Sequence, residues 1–210
     1  TPLMPETREA APAYVRDRFV VMAGIAVLLA LSWAYTLWIA WELYGGHHGA
    51  FGPHGGVWGP TQLFYVLVMW LVMMTAMMIP SVSPTIVMFS EVARKHKDGD
   101  TALAGTWIFV SGYLIAWALF SVVATGAQWG LKVAALMTPV METNSAIVGG
   151  IILLAAGAFQ FTALKNACLQ HCRSPLMFFM AGWRPGRIGA LSMGFRHGLF
   201  CVGCCWALMA

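Results

Sequence analysis

Charge is what this sequence has least of. Only 10% of its 210 residues are Asp, Glu, Lys or Arg, against about 25% in an ordinary soluble domain. With 60% hydrophobic residues and a mean hydropathy of +0.73, the composition belongs to the membrane class. The few acids avoid the apolar runs: Glu42 and Glu91 sit at run ends, and none lies near a run's middle. Proton-coupled transporters and pumps usually carry intramembrane acids, so their absence argues against that class. There is no Walker sequence, no Ser-His-Asp pattern and no Cys-x-x-Cys-His haem motif. His197 is the only histidine inside an apolar run, which leaves a haem in the bilayer without a second imidazole. The formal net charge of +4 does not indicate nucleic acid, because the basic residues stand between apolar runs, where membrane topology accounts for them.

Five runs approach the ~20 residues needed to cross a bilayer core. They cover about 19–44, 62–92, 102–129, 145–164 and 189–210, after an N-terminal segment 1–18. An open sheet edge is not tolerated in lipid. The expected fold is therefore all-α, a polytopic transmembrane helix bundle with at least five spans. The second run is expected to continue through Pro80 and Pro84 as a kinked extension, with Ser81, Ser83 and Thr85 bonding the carbonyls that the prolines free. The chain starts at Thr1 and stops at Ala210 inside an apolar run, so residues are expected to be missing at both ends and five spans is a minimum.

Basic residues set the expected orientation. Arg8, Arg16, Arg18, Arg94, Lys95, Lys97, Lys165, Arg173, Arg184 and Arg187 fall on one side, against Lys132 alone on the other. The side rich in Lys and Arg is cytoplasmic. The N-terminus is then cytoplasmic, and the loop with His47, His48 and His54 faces outward. Arg196 remains inside the last run, with Glu91 as its candidate partner. Trp33, Trp38, Trp41 and Tyr44 read as an interfacial aromatic belt. Ala190, Gly194 and Gly198 repeat every four residues, the spacing that lets helix backbones approach closely.

The polar exceptions in the last run are chemically related. At about 100° per residue, His197, Cys201, Cys204 and Cys205 share one helix face. Imidazole and thiolate suit Cu(I), zinc and iron. One helix rarely closes a metal site, so the missing ligands are expected from another span. A second group, Cys168, His171 and Cys172, lies in "NACLQHCRSP" (166–175). It can meet the first only if the segment after the fourth run folds back into the bundle, and the apolar "LMFFMAGW" makes a re-entrant segment a natural reading. Cysteine is also a small, commonly buried hydrophobe, so helix packing competes with metal binding as the explanation. A thiol-disulfide relay through Cys168 and Cys172 lacks an outer cysteine pair to complete it. Five methionines lie between 69 and 78. Thioethers favour Cu(I), and Met73 and Met77 are the candidate path ligands, although methionine also fills irregular helix contacts.

The strings "WLVMMTAMMIPS", "CLQHCRSPLMFF" and "GALSMGFRHGLFCVGCCWALM" resemble a bacterial family of unknown function catalogued as predicted metal-binding integral membrane proteins. The resemblance covers about Leu63–Ala210. It implies a polytopic membrane fold and a metal role, without an established reaction. The reading is thus an inner-membrane protein that binds a soft transition metal for handling or delivery, with copper favoured over zinc or iron. Its metal residues would be His197, Cys201, Cys204, Cys205, Cys168, Cys172, His171, Met73 and Met77. Its partners would be lipid, other membrane subunits or a periplasmic metal-binding protein, with no nucleic acid and no catalytic residue. The alternative is an accessory subunit of a larger membrane complex, using its small and Met/Cys-rich faces for packing.

Overall fold

The computed structural model describes residues 10–44, 58–96, 102–134 and 146–209. The loop histidines His47, His48 and His54 lie outside the described residues, as do Arg8 and Lys97. All described secondary structure is helical: α1 (Ala10–Tyr44), α2 (Pro60–Lys95), α3 (Ala102–Val133), α4 (Ala146–Phe159), α5 (Ala163–Arg173), α6 (Pro175–Gly182) and α7 (Gly186–Met209). Four of these, α1, α2, α3 and α7, are long and apolar enough to cross a membrane. A fifth span exists if α4 and α5, bent by 62° at a short break, count as one.

Local sequence explains the boundaries. Pro60 opens α2, where its missing N–H costs nothing. Pro80 and Pro84 do not end the helix. Ser83 Oγ donates to the Pro80 carbonyl at 2.8 Å, the acceptor that the Pro84 nitrogen cannot use. Ser81 Oγ donates to the Met78 carbonyl at 2.8 Å. The fourth apolar run breaks at Gln160–Thr162. Thr162 then caps α5, its hydroxyl accepting from the Lys165 N–H, and the Lys165 ammonium donates to the Gln160 amide oxygen across the break. Gly186, at φ +78°, follows Pro185 and turns the chain into α7.

The helices pack in the order α1, α2, α3, α7, α5, with α6 resting against α2 and α5. The α3–α7 pair is the most extensive contact, and glycine makes it possible. A Cβ on Gly194 would overlap the Phe109 carbonyl, and one on Gly112 would overlap the Leu191 carbonyl. The four-residue spacing of small residues on α7 is therefore used against α3, within the chain. Around this contact stands an aromatic group. Phe89 stacks on Phe109 with ring centroids 4.6 Å apart and meets Phe179 edge-on at 5.6 Å. Such pairs add about 0.5–1.5 kcal/mol beyond burial. On the outside the same helices are apolar: Phe19, Leu31 and Trp41 on α1, and Ile147, Leu153 and Leu154 on α4, are all exposed.

Candidate metal centre

The thiol-bearing half of α7 lies beyond its glycines. His197 and Cys201 are one turn apart, and Cys204 follows on the same face; all three are buried. Cys205 is half-buried. From the other side comes α5, whose Cys172 faces α7. The Cys172 and Cys204 sulfurs are 4.0 Å apart. The sulfurs of Cys172, Cys201 and Cys204 all lie within 4.8 Å of one another. The Cys204 and Cys205 sulfurs are 3.3 Å apart, and the Cys204 thiol donates to the Cys201 carbonyl at 3.2 Å. Cys168, one turn before Cys172, rests its sulfur over Gly203, where an added Cβ would come within 2.7 Å of it. All five cysteines are free thiols.

The two cysteine groups of the sequence thus meet. They do so because the chain bends by 62° between α4 and α5, and α5 packs along α7. The other candidate residues are distributed differently. His171 is exposed, with Nδ1 bonded to the Ala167 carbonyl at 2.9 Å and its ring stacked on Phe200 at 4.1 Å; it stands outside the thiol group. His197 is 2% exposed, ringed by Phe109, Tyr113 and Phe178, and its Nδ1 has no hydrogen-bond partner. Met73 and Met77 are half-buried against the core, while their neighbours Met74 and Met78 are buried in the same apolar cluster as Cys201. Glu91 pairs with Arg94 at 2.8 Å, and Arg196 instead lines an open cleft of about 510 Å³ with Gln170, His171 and Phe178.

One residue of the centre escapes the sequence reading. Tyr113 of α3 is fully buried, and its hydroxyl lies 3.3 Å from the Cys201 sulfur. A buried tyrosine must find a partner for its O–H. That rule flags Tyr113 as a polar group inside an apolar run, but only the packing of α3 on α7 identifies the partner.

The geometry suits a small soft ion. At a metal–sulfur distance of about 2.3 Å, three sulfurs around one ion lie about 4 Å apart. The Cys172–Cys204 pair already has that spacing, and shifts of about 1 Å or less would close the remaining edges. Hard ligands are missing: from Ala146 to Met209 there is no Asp or Glu. The profile of a protein family described as PpoB2, copper chaperone, matches residues 67–210. The chain belongs to this copper chaperone family. No curated protein matches the chain, and no solved structure does. The family match takes in all five cysteines, Tyr113, His197 and the methionine-rich part of α2.

Proposed function

We propose that the protein is an integral membrane copper chaperone that carries Cu(I) on the thiolates of Cys172, Cys201 and Cys204 and passes it to a copper-receiving partner. The observation that carries this reading is three thiols, drawn from two helices, held within 4.8 Å in a chain of the copper chaperone family. Copper is the cargo. Thiolates are soft ligands that suit Cu(I), and each loses its proton as it binds. Three thiolates on one Cu(I) carry a net charge of two minus. Burial makes that charge costly unless hydrogen bonds meet it, and the Tyr113 hydroxyl is placed to donate to the Cys201 sulfur.

Membrane insertion rests on the helix lengths and on the exposed Phe, Leu, Ile and Trp side chains of α1 and α4, which lipid accepts and water does not. The distribution of Lys and Arg supports a cytoplasmic N-terminus in a bacterial inner membrane. The bundle then delivers copper to a periplasmic metal-binding protein or a neighbouring membrane subunit. Cys205, Cys168 and His197, on the same two helices, would serve entry or exit, and Met73 and Met77 would line an approach along α2. The glycine face of α7 is occupied by α3, so these small residues do not serve packing on another subunit.

The test is to purify the full chain in detergent under reducing conditions, load it with Cu(I), and remove loose metal with a competing chelator. At least one copper per chain is expected. The Cys201→Ser, Cys204→Ser double variant is expected to retain none while keeping its helical spectrum. A wild-type protein without stoichiometric copper, or a double variant that binds like wild type, would overturn the reading.

A further inference from the structure

The thiol group holds one sulfur more than a single Cu(I) needs. Cys172, Cys201 and Cys204 form one triangle. Cys204 lies 3.3 Å from Cys205, and Cys205 follows Cys201 by one helical turn, the spacing at which side chains on one face meet. Cys201, Cys204 and Cys205 thus offer a second set of three thiols on one stretch of α7, which shares Cys201 and Cys204 with the first. Cys172 and Cys205 are the two outer members.

We infer that the centre is dinuclear: it binds two Cu(I) ions, with the Cys201 and Cys204 sulfurs bridging them, Cys172 terminal on one ion and Cys205 terminal on the other. The inference rests on the copper-carrying reading above and extends it from one ion to two. Sulfur is able to bridge because a thiolate has lone pairs to spare after binding one metal. Charge favours the second ion. The first Cu(I) on three thiolates gives a net two minus. The second Cu(I) brings one positive charge, and Cys205 gives up one proton to become a thiolate. The total stays at two minus, so a buried site accepts the second ion with no added net charge. Written in full, four thiols and two Cu(I) give one Cu2S4 cluster of charge two minus and four protons, and no oxidant or reductant is consumed.

The shared pair makes the variants informative. Removing either outer thiol leaves one complete set of three, whereas removing either bridging sulfur breaks both. The full chain in detergent, saturated with Cu(I) without oxygen and stripped of loose metal by a chelator, is assayed for copper per chain and by X-ray absorption. Two coppers per chain, a sulfur shell and a copper–copper scattering path are expected. Cys205→Ser and Cys172→Ser are each expected to hold one copper and lose the copper–copper path. One copper per wild-type chain overturns the inference and leaves the copper-carrying reading intact. Two coppers without the copper–copper path, or a Cys205→Ser variant that keeps both ions and the path, also overturns it. No copper at all overturns both. The wild-type measurement does not depend on any variant folding.

Discussion

The two walls of the thiol centre differ in how they are built. On one side α7 meets α3 almost backbone to backbone, with Gly112, Gly194 and Gly198 leaving no room for a side chain. On the other side α7 meets α5, a helix of 11 residues without a buried residue among them. An isolated helix of that length is marginal, and α5 relies on its Thr162 cap and its contact with α7 to persist. Cys201 and Cys204 are thus held on the rigid wall and Cys172 on the lighter one. Ligands on packed elements keep their geometry, and ligands on lightly packed elements are drawn from the low-stability end of a structure, where movement is cheap.

Substitutions can break this contrast, and the largest effect belongs at the rigid wall. Gly194→Leu drives a side chain into the Phe109 backbone and should cost about 3 kcal/mol or more, read as a fall in thermal unfolding temperature together with loss of copper binding. Gly157→Ala on α4, where an added Cβ meets nothing within 4 Å, is the matched control and should not destabilise. A Gly194→Leu protein as stable as wild type would mean that α3 and α7 are not in close contact. Next, Cys201→Ser should weaken Cu(I) binding by about 100-fold or more, beyond the ~10–100-fold typical of changes to groups that only support a ligand; competition with a Cu(I) chelator reads this directly. Tyr113→Phe removes the hydroxyl at Cys201 and should weaken binding about 10-fold, without changing how many coppers bind. The smallest effect is Cys172→Ser on the stability of the copper-free protein, within about 0.5 kcal/mol, because its helix contributes no buried residue. A large loss of stability there would place α5 among the rigid elements and erase the contrast.

The two walls were also unequally legible. The helical period groups His197, Cys201, Cys204 and Cys205 on one face, and the structure buries the first three together. Ala190, Gly194 and Gly198 announce a close neighbour by their spacing, though not that the neighbour is α3. The lighter wall is harder to read. The break after α4 is signalled only by the polar Gln160 and Thr162 around Phe161, which is too little to place the bend or to foretell that α5 packs along α7 with Cys172 beside Cys204. The methionines show a different difficulty. Met73 and Met77 form one stripe, Met74 and Met78 the next. When both protein and lipid are apolar, periodicity gives two neighbouring stripes and no means of choosing the inward one. The structure buries Met74 and Met78 and leaves Met73 and Met77 half-buried. Tyr113 becomes part of the centre only through the packing of two helices whose sequences lie 88 residues apart at the Tyr113–Cys201 bond.

The lightly held α5 also bears on kinetics. If Cys172 holds copper as proposed, a thiolate from a receiving protein that displaces it forms its bond to copper as the old one breaks, so the transfer needs no free ion. The rate of such an exchange rises with the concentration of the receiver. Spontaneous escape has no such dependence and requires the buried Cys201 and Cys204 to let go as well. On the proposed role the copper-loaded protein would be long-lived alone and fast in company, and its lifetime in isolation would say little about the rate of transfer.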